Sequence, residues 1–373
     1  MGIETGMERT VRTIYMTYGA MVTPLGNTPE DNFQSMSLGN SGVQKQSASG
    51  FNGEDWPLGK IESLHSDNRY TELLRNTCNA LKAKHGQQLF QSEKTLIIIS
   101  STKADIESLP EDTFTSTRKI IQEVLSPKNA PLIISNACIS GVLAINTAAD
   151  YIKAGKFDTV VSIGIDVLTD FIVFGFQSLF ALSDQPSKPF DKNRTGISIG
   201  EAAGAIIVSS VPPDSDKFYV EYLGGSSSND ANHISGPSRT GEGLFRSINR
   251  TAKRANINLK DLNFISAHGT GTLYNDEMES IAFDRLGLNN IPLNSLKGYF
   301  GHTLGAAGII EILSTMLMME NNILLKSPGY DEQGTSCKLN VVRENTKSDV
   351  QLALKTASGF GGGNASIIIK KKV

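Results

Sequence analysis

The chain has 373 residues and only three cysteines, Cys78, Cys138 and Cys337, odd in number and irregular in spacing. That argues against a disulfide framework and against paired-cysteine zinc patterns, so neither a metal nor another cofactor is expected. Such usage fits a reducing, cytoplasmic setting. No apolar run is long enough to span a bilayer. The segment from Met1 to Arg12 is polar and charged and lacks an apolar core, so a secretory signal is not expected there. The net charge is −3, and the one short basic run, Lys370-Lys371-Lys372, reads as a solvated tail. Nucleic-acid and membrane-surface partners are therefore not expected. The one unusual abundance is glycine, at 35 residues. Many of these glycines cluster beside side chains capable of chemistry, where a backbone must turn sharply or approach a ligand closely.

Strands and helices alternate, which predicts an α/β fold with covered sheets. Strands are expected over 95–100, 131–135, 159–165 and 205–209, and again over 262–266, 291–295, 352–358 and 365–370. Val211-Pro212-Pro213-Asp214 breaks the chain between two stretches that look alike. Gly200-Glu201-Ala202-Ala203-Gly204 precedes one closing strand, and Gly359-Phe360-Gly361-Gly362-Gly363-Asn364 precedes the other. A strand, Cys138 and a helix over 142–153 are echoed by a strand, the Lys297–His302 loop and a helix over 306–320. This predicts a duplicated chain with halves 13–212 and 213–373, and a site where loops from both halves meet.

Cys138 follows an apolar strand and precedes a helix, a place where free amides and the helix dipole favour a thiolate. Taken alone, a free cysteine is more often a small buried hydrophobe. Two histidines stand in comparable places. His268 ends a strand and enters Gly269-Thr270-Gly271-Thr272, and His302 precedes a helix rich in small residues. Taken alone, either would more often be a structural hydrogen-bonder. A cysteine with two histidines could serve a protease-like acyl transfer or a carbon–carbon condensation. The glycine-rich Gly359–Gly363 run lacks the Lys-Ser/Thr of a phosphate-binding loop.

Five blocks occur in order: Asn136-Ala137-Cys138; Pro189-Phe190-Asp191-Lys192-Asn193-Arg194 with Gly200-Glu201; His268-Gly269-Thr270-Gly271-Thr272 with Asn275-Asp276 and Glu279; Lys297 with Gly301-His302; and Gly359-Phe360-Gly361-Gly362. Together they resemble the elongating β-ketoacyl-acyl-carrier-protein synthases of the thiolase superfamily, from about residue 13 onward. The resemblance implies a thiolase-like α/β fold in five αβαβα layers, with two five-stranded sheets. It implies a dimer in which the 159–165 strand pairs with its mate, whether the partner is identical or related. It implies decarboxylating condensation of an acyl group on Cys138 with malonyl-acyl carrier protein, in fatty-acid, polyene or polyketide-type synthesis.

His268 and His302 would assist decarboxylation, with Lys297 and Glu279 holding the histidine array. Cys138 and Phe360 would supply oxyanion-hole amides, and Phe360 would also gate the acyl pocket. Thr270, Thr272 and Ser235 would meet the phosphopantetheine arm. Phe176 would line the pocket, within a Phe171–Phe176 run that otherwise reads as plain core. Asp276 would support the site structurally. Phe180 stands where an arginine is common, Gly298 replaces a common serine, and the segment between Ser100 and Pro131 is short. These departures suggest a specialised pathway. The rival readings are a non-catalytic chain-length-setting partner subunit, which would usually lack the nucleophile, and a coenzyme A-dependent acyltransferase or thiolase.

Overall fold

The computed structural model describes residues 12–230 and 236–372. Eleven strands form one sheet: β1 (Tyr15–Val22), β2 (Thr95–Ser100), β3 (Leu132–Ile134), β4 (Thr159–Asp166), β5 (Ala202–Ser209), β6 (Tyr219–Asn229), β7 (Phe264–Ser266), β8 (Pro292–Asn294), β9 (Asn340–Val341), β10 (Leu352–Gly359) and β11 (Gly363–Lys372). Their order is β9-β8-β7-β10-β11-β6-β1-β5-β4-β2-β3. The helices that matter here are α1 (Arg69–His85), α2 (Ser140–Lys153), α3 (Asp170–Ser178), α4 (Glu242–Ala255), α5 (Leu273–Arg285), α6 (Lys297–Phe300) and α7 (Ala307–Asn321). No helix among the described residues is long and apolar enough to cross a membrane.

The two ends of the sheet repeat one topology. In the first half β3, β2 and β4 run parallel, then β5 and β1 follow antiparallel. In the second half β8, β7 and β10 run parallel, then β11 and β6 follow antiparallel. The sequence suggested two separate sheets. They are instead joined by a short seam in which Tyr15 pairs with Glu221 and Met16 with Val220.

Strand periodicity builds the layers, because successive side chains face opposite ways. Ile97, Ile99, Val161, Ile163 and Ile165 face outward onto Leu73, Leu74, Cys78 and Leu81 of α1. Ile98 and Val160 face inward and pack with α2 and α7. Ala353, Ala357, Ile367 and Ile369 of the second half reach the same inner cluster. Leu352, Leu354 and Ile368 face outward onto Leu244, Ile248 and Ala252 of α4. The result is five layers with α2 and α7 in the middle. Helix α7 is buried on every side from Ala307 to Met319, as its almost unbroken apolar sequence requires.

The expected pairing of the 159–165 strand across a dimer axis fails on topology. Strand β4 is hydrogen-bonded to β2 on one side and to β5 on the other, so it has no free edge. The open edge of the first half is β3, whose residues are half-buried. Its counterpart β8 is covered by β9. Strand β6 is not among the strands that the sequence predicts. It contains Gly224-Gly225-Ser226-Ser227-Ser228, and β11 pairs with β6 along its length, from Gly363↔Asn229 to Lys372↔Tyr219. Gly224 is needed because a Cβ there would lie 2.8 Å from Ala255 N.

The carboxylate of Asp166 fastens the halves together. It accepts from Ser101 Oγ (2.8 Å), Thr102 N (2.9 Å) and Lys103 Nζ (3.2 Å) in the first half, and from Gly305 N (2.8 Å) in the second. Both Asp166 and Lys103 are buried. Asp166→Ala would leave the Lys103 ammonium without its carboxylate, a change expected to cost about 3–5 kcal/mol. Urea denaturation should show a lowered midpoint with little change in slope.

Candidate active site

Cys138 sits in a tight elbow between β3 and α2. Ala137 adopts the left-handed region, with φ +43°, which an alanine occupies at a cost on the order of 1–3 kcal/mol. Ser140 stitches the elbow by accepting from Asn136 N (2.7 Å) and donating to the Ala137 carbonyl (2.7 Å). The elbow is pressed against the second half because α2 and α7 meet backbone to backbone. A Cβ at Gly141 would lie 2.9 Å from Ile309 N, and one at Gly308 would lie 2.5 Å from Val142 N. The run of small residues noted after His302 serves this contact.

His268 leaves the end of β7 with its backbone held by an acid. Glu279 of α5 accepts from His268 N (2.8 Å) and Gly269 N (2.6 Å), and Asn275 and Thr356 steady the carboxylate. Asp276 holds the next turn, accepting from Thr270 N (2.9 Å) and, across the halves, from Phe190 N (2.7 Å). His302 is tied to the other half. Its N–H donates to the Ser198 carbonyl (2.7 Å), and its carbonyl accepts from Gly200 N (3.0 Å). The Pro189–Glu201 stretch thus supports loops from the second half.

Cys138 Sγ and ring nitrogens of the two histidines lie within 4.8 Å of one another. The imidazoles meet edge to face, with centroids 5.2 Å apart. Lys297 is fully buried beneath them. Its ammonium donates to the His268 carbonyl, pairs with Glu311 Oε1 (2.6 Å) and stands 3.4 Å from His268 Nδ1. An ammonium only donates, so Nδ1 is the acceptor and the ring proton is on Nε2. No metal-ligand set is assigned, because the Lys297 ammonium would repel a second cation at this place.

Burial lowers both imidazoles well below the usual histidine range, and Lys297 and Lys355 add to the effect. Both rings are neutral at pH 7. Burial also pushes the Cys138 thiol up to about 12, with Lys297 and the Phe360 backbone N–H acting against that rise. The expected resting thiolate is therefore not present. Loss of water around sulfur outweighs both the helix N-terminus and the nearby ammonium.

Two other expectations change. The acid paired with Lys297 is Glu311; Glu279 binds backbone N–H groups instead. The sequence signals for Glu311 and Lys355 are a lone charge in an apolar helix and another in an apolar strand. The Phe171–Phe176 run is not plain core. Ile172 and Val173 are buried, but Phe171 is exposed and Phe176 stacks on Phe360, with centroids 5.4 Å apart.

Cys138, His268, His302, Phe176, Phe360, Thr270 and Thr272 line one cavity of about 430 Å³. The two threonine hydroxyls share a hydrogen bond (2.8 Å). Phe180, 95% exposed, stands at the rim with Leu179, Leu273 and Tyr274. Ser235 lies outside the described residues. A Cβ at Gly359 would lie 3.0 Å from Cys138 N, so this glycine leaves room at that amide.

Residues 128–212 match the family model described as Beta-ketoacyl synthase, N-terminal domain, and residues 219–331 match Beta-ketoacyl synthase, C-terminal domain. The chain belongs to the β-ketoacyl synthase family. Cys138 falls within the first match, and His268, Lys297 and His302 fall within the second. The chain is 33% identical over 253 residues to 3-oxoacyl-[acyl-carrier-protein] synthase 2 of Rhizobium meliloti, an alignment covering 64% of this chain and 60% of that protein. It is 27% identical over 410 residues to the chloroplastic 3-oxoacyl-[acyl-carrier-protein] synthase II of Arabidopsis thaliana, covering 96% and 75%. Among solved structures it resembles a ketosynthase in complex with its chain length factor from Xenorhabdus doucetiae, with a TM-score of 0.87 and 25% identity over 97% of this chain and 98% of that one. This β-ketoacyl synthase fold is the thiolase-like α/β arrangement that the five layers display.

Alkylation tests the thiol assignment. Cys337 is only half-buried, so iodoacetamide should reach it before the buried Cys138 or Cys78. Cys138 modification should rise about tenfold per pH unit through neutrality, following a thiolate fraction far below its midpoint. Peptide mass spectrometry reads both. A Cys138 rate already level at pH 7 would mean that the thiol is ionised.

Proposed function

We propose that this β-ketoacyl synthase performs decarboxylating condensation of an acyl thioester with malonyl-acyl carrier protein. The observation that carries the reading is the state of the two histidines. Both are buried and neutral, and neither ring nitrogen of His302 has a partner among the described residues. Two neutral N–H donors close to a cysteine suit an enolate oxygen better than they suit proton removal from a resting thiol.

In the first step Cys138 sulfur bonds to the acyl carbonyl carbon, and the carbon–sulfur bond to the carrier's pantetheine breaks. The Cys138 proton ends on the departing thiol. The Cys138 and Phe360 amides hold the transient oxyanion. In the second step the malonyl carbon–carboxylate bond breaks and carbon dioxide leaves. The electron pair passes into an enolate held by His268 Nε2–H and His302. The enolate carbon then attacks the Cys138 thioester, a carbon–carbon bond forms, and the cysteine leaves as thiolate to regain a proton. Thr270 and Thr272 bind the pantetheine arm, and the Phe176–Phe360 stack parts to admit the acyl chain. The open edge of β3 takes a partner subunit, either a second copy or a related chain. The half boundary near residue 212 marks a duplication whose halves supply nucleophile and histidines separately. The exposed Phe180 and its apolar neighbours at the rim fit a carrier encounter without an arginine, in a specialised rather than a housekeeping pathway.

Acyl-enzyme mass and carbon dioxide release from malonyl-carrier test the division of labour. His268→Ala and His302→Ala should each lose about 10²–10³-fold in decarboxylation and condensation yet still acquire acyl groups on Cys138. Cys138→Ala should form no acyl-enzyme and still release carbon dioxide. If the cysteine variant loses decarboxylation while the histidine variants keep it, the histidines activate the thiol, and an acyltransferase becomes the better reading.

A further inference from the structure

Strand β10 carries one buried charge. Lys355 is fully buried, and its ammonium makes three contacts: Glu311 Oε2 (2.6 Å), the Ala267 carbonyl (3.1 Å) and the Ser266 carbonyl (3.3 Å). The Glu311 carboxylate is thereby divided between two lysines, Oε1 to Lys297 and Oε2 to Lys355. The two ammoniums together bind three successive carbonyls, those of Ser266, Ala267 and His268. From the opposite side Glu279 takes the N–H groups of His268 and Gly269. The peptide that presents His268 is therefore clamped on both its donor and acceptor sides.

We propose that Lys355 is a positioning residue for this site: by sharing Glu311 with Lys297 and binding the Ser266 and Ala267 carbonyls, it leaves the Lys297 ammonium against His268 Nδ1 and so keeps the ring proton on the substrate side. Without Lys355, the second oxygen of Glu311 lacks a partner. The carboxylate then draws Lys297 toward itself and away from the imidazole, and one positive charge is lost beside His268. The titratable groups around His268 are Lys297 from α6, Lys355 from β10, Glu311 from α7, Glu279 and Asp276 from α5, His302, and Cys138 from the elbow. Removing one cation from this set makes the neutral imidazole easier to protonate. Burying a lysine only to brace a strand would be costly, and here an ion pair with a shared carboxylate and hydrogen bonds to two carbonyls offset that cost.

The inference rests on the condensing reading, and the experiment separates the two. The variants are Lys355→Gln, which keeps N–H donors and loses the charge, and Lys355→Arg, which keeps the charge. The readouts are the pH profile of malonyl-carrier decarboxylation and the ¹⁵N shifts of the His268 ring. In Lys355→Gln the acid limb should move up by about one pH unit, a tenfold gain in proton affinity of the ring. The Nε2–H tautomer should give way to a mixture. Lys355→Arg should keep the limb in place even where the rate falls. A Lys355→Gln profile of unchanged position, merely scaled down, would mean a structural brace only and would overturn the proposal. Should Lys355→Gln fail to fold, the unmutated enzyme decides. A His268 ring that holds its proton on Nε2 and stays neutral at pH 5.5 supports the proposal, and one that titrates near 6.5 overturns it. A wild-type enzyme with that His268 behaviour but no carbon dioxide release would count against the condensing reading alone.

Discussion

The crossing of α2 and α7 at Gly141 and Gly308 is the constraint on which the rest depends. At that crossing the two backbones approach to the separation of bare main chain, and a single methyl group on either glycine would meet a backbone nitrogen. Only there can the end of β3 and the loop before α7 be brought side by side. The Cys138 elbow and His302 belong to different halves and are far apart in sequence. Their proximity is a consequence of helix packing, not of local structure. Asp166 and the Ser198–Gly200 backbone reinforce the same junction with hydrogen bonds that cross between the halves.

Burial then sets the chemistry. The same exclusion of water has opposite effects on the site's ionisable groups. It keeps the histidines neutral, so they can donate, and it keeps the resting cysteine protonated, so it does not react indiscriminately. The charged groups that remain buried are paired with one another or with backbone. Two lysines share Glu311, and Glu279 accepts from four donors. An unpaired charge at such depth would cost several kcal/mol, so the network is one that must be complete or absent. Its position directly behind His268 links fold stability to the electrostatics of the site.

Much was legible in the sequence. The strands at 95–100, 159–165 and 352–358 and the helices that follow Cys138 and His302 carry strong local signals: β-branched runs in the first case, helical apolar spacing and small residues in the second. The repeat of one strand topology at both ends of the sheet has its sequence counterpart in two glycine-rich turns, each followed by a closing strand. Cys138, His268, Lys297 and His302 stood at strand ends and turns, places where a fold displays side chains, and the order of their motifs carried the family resemblance.

What the tertiary structure decided concerns partners and environment. Local pattern cannot show which strand lies at an edge, and the resemblance implies a dimer strand at β4 although β2 and β5 occupy both its sides. Nor can it show that the glycine- and serine-rich end of β6 is held extended by β11. The acid that pairs with Lys297 is hidden for the same reason: Glu279 and Glu311 lie on different helices, and only the folded chain puts Glu311 Oε1 2.6 Å from the Lys297 ammonium. The thiol state of Cys138 likewise follows from depth rather than from position in the chain. A sequence specifies which groups are present and in what order. Whether a charge is favoured or suppressed depends on the water removed around it, and that is fixed only once both halves have closed over the site.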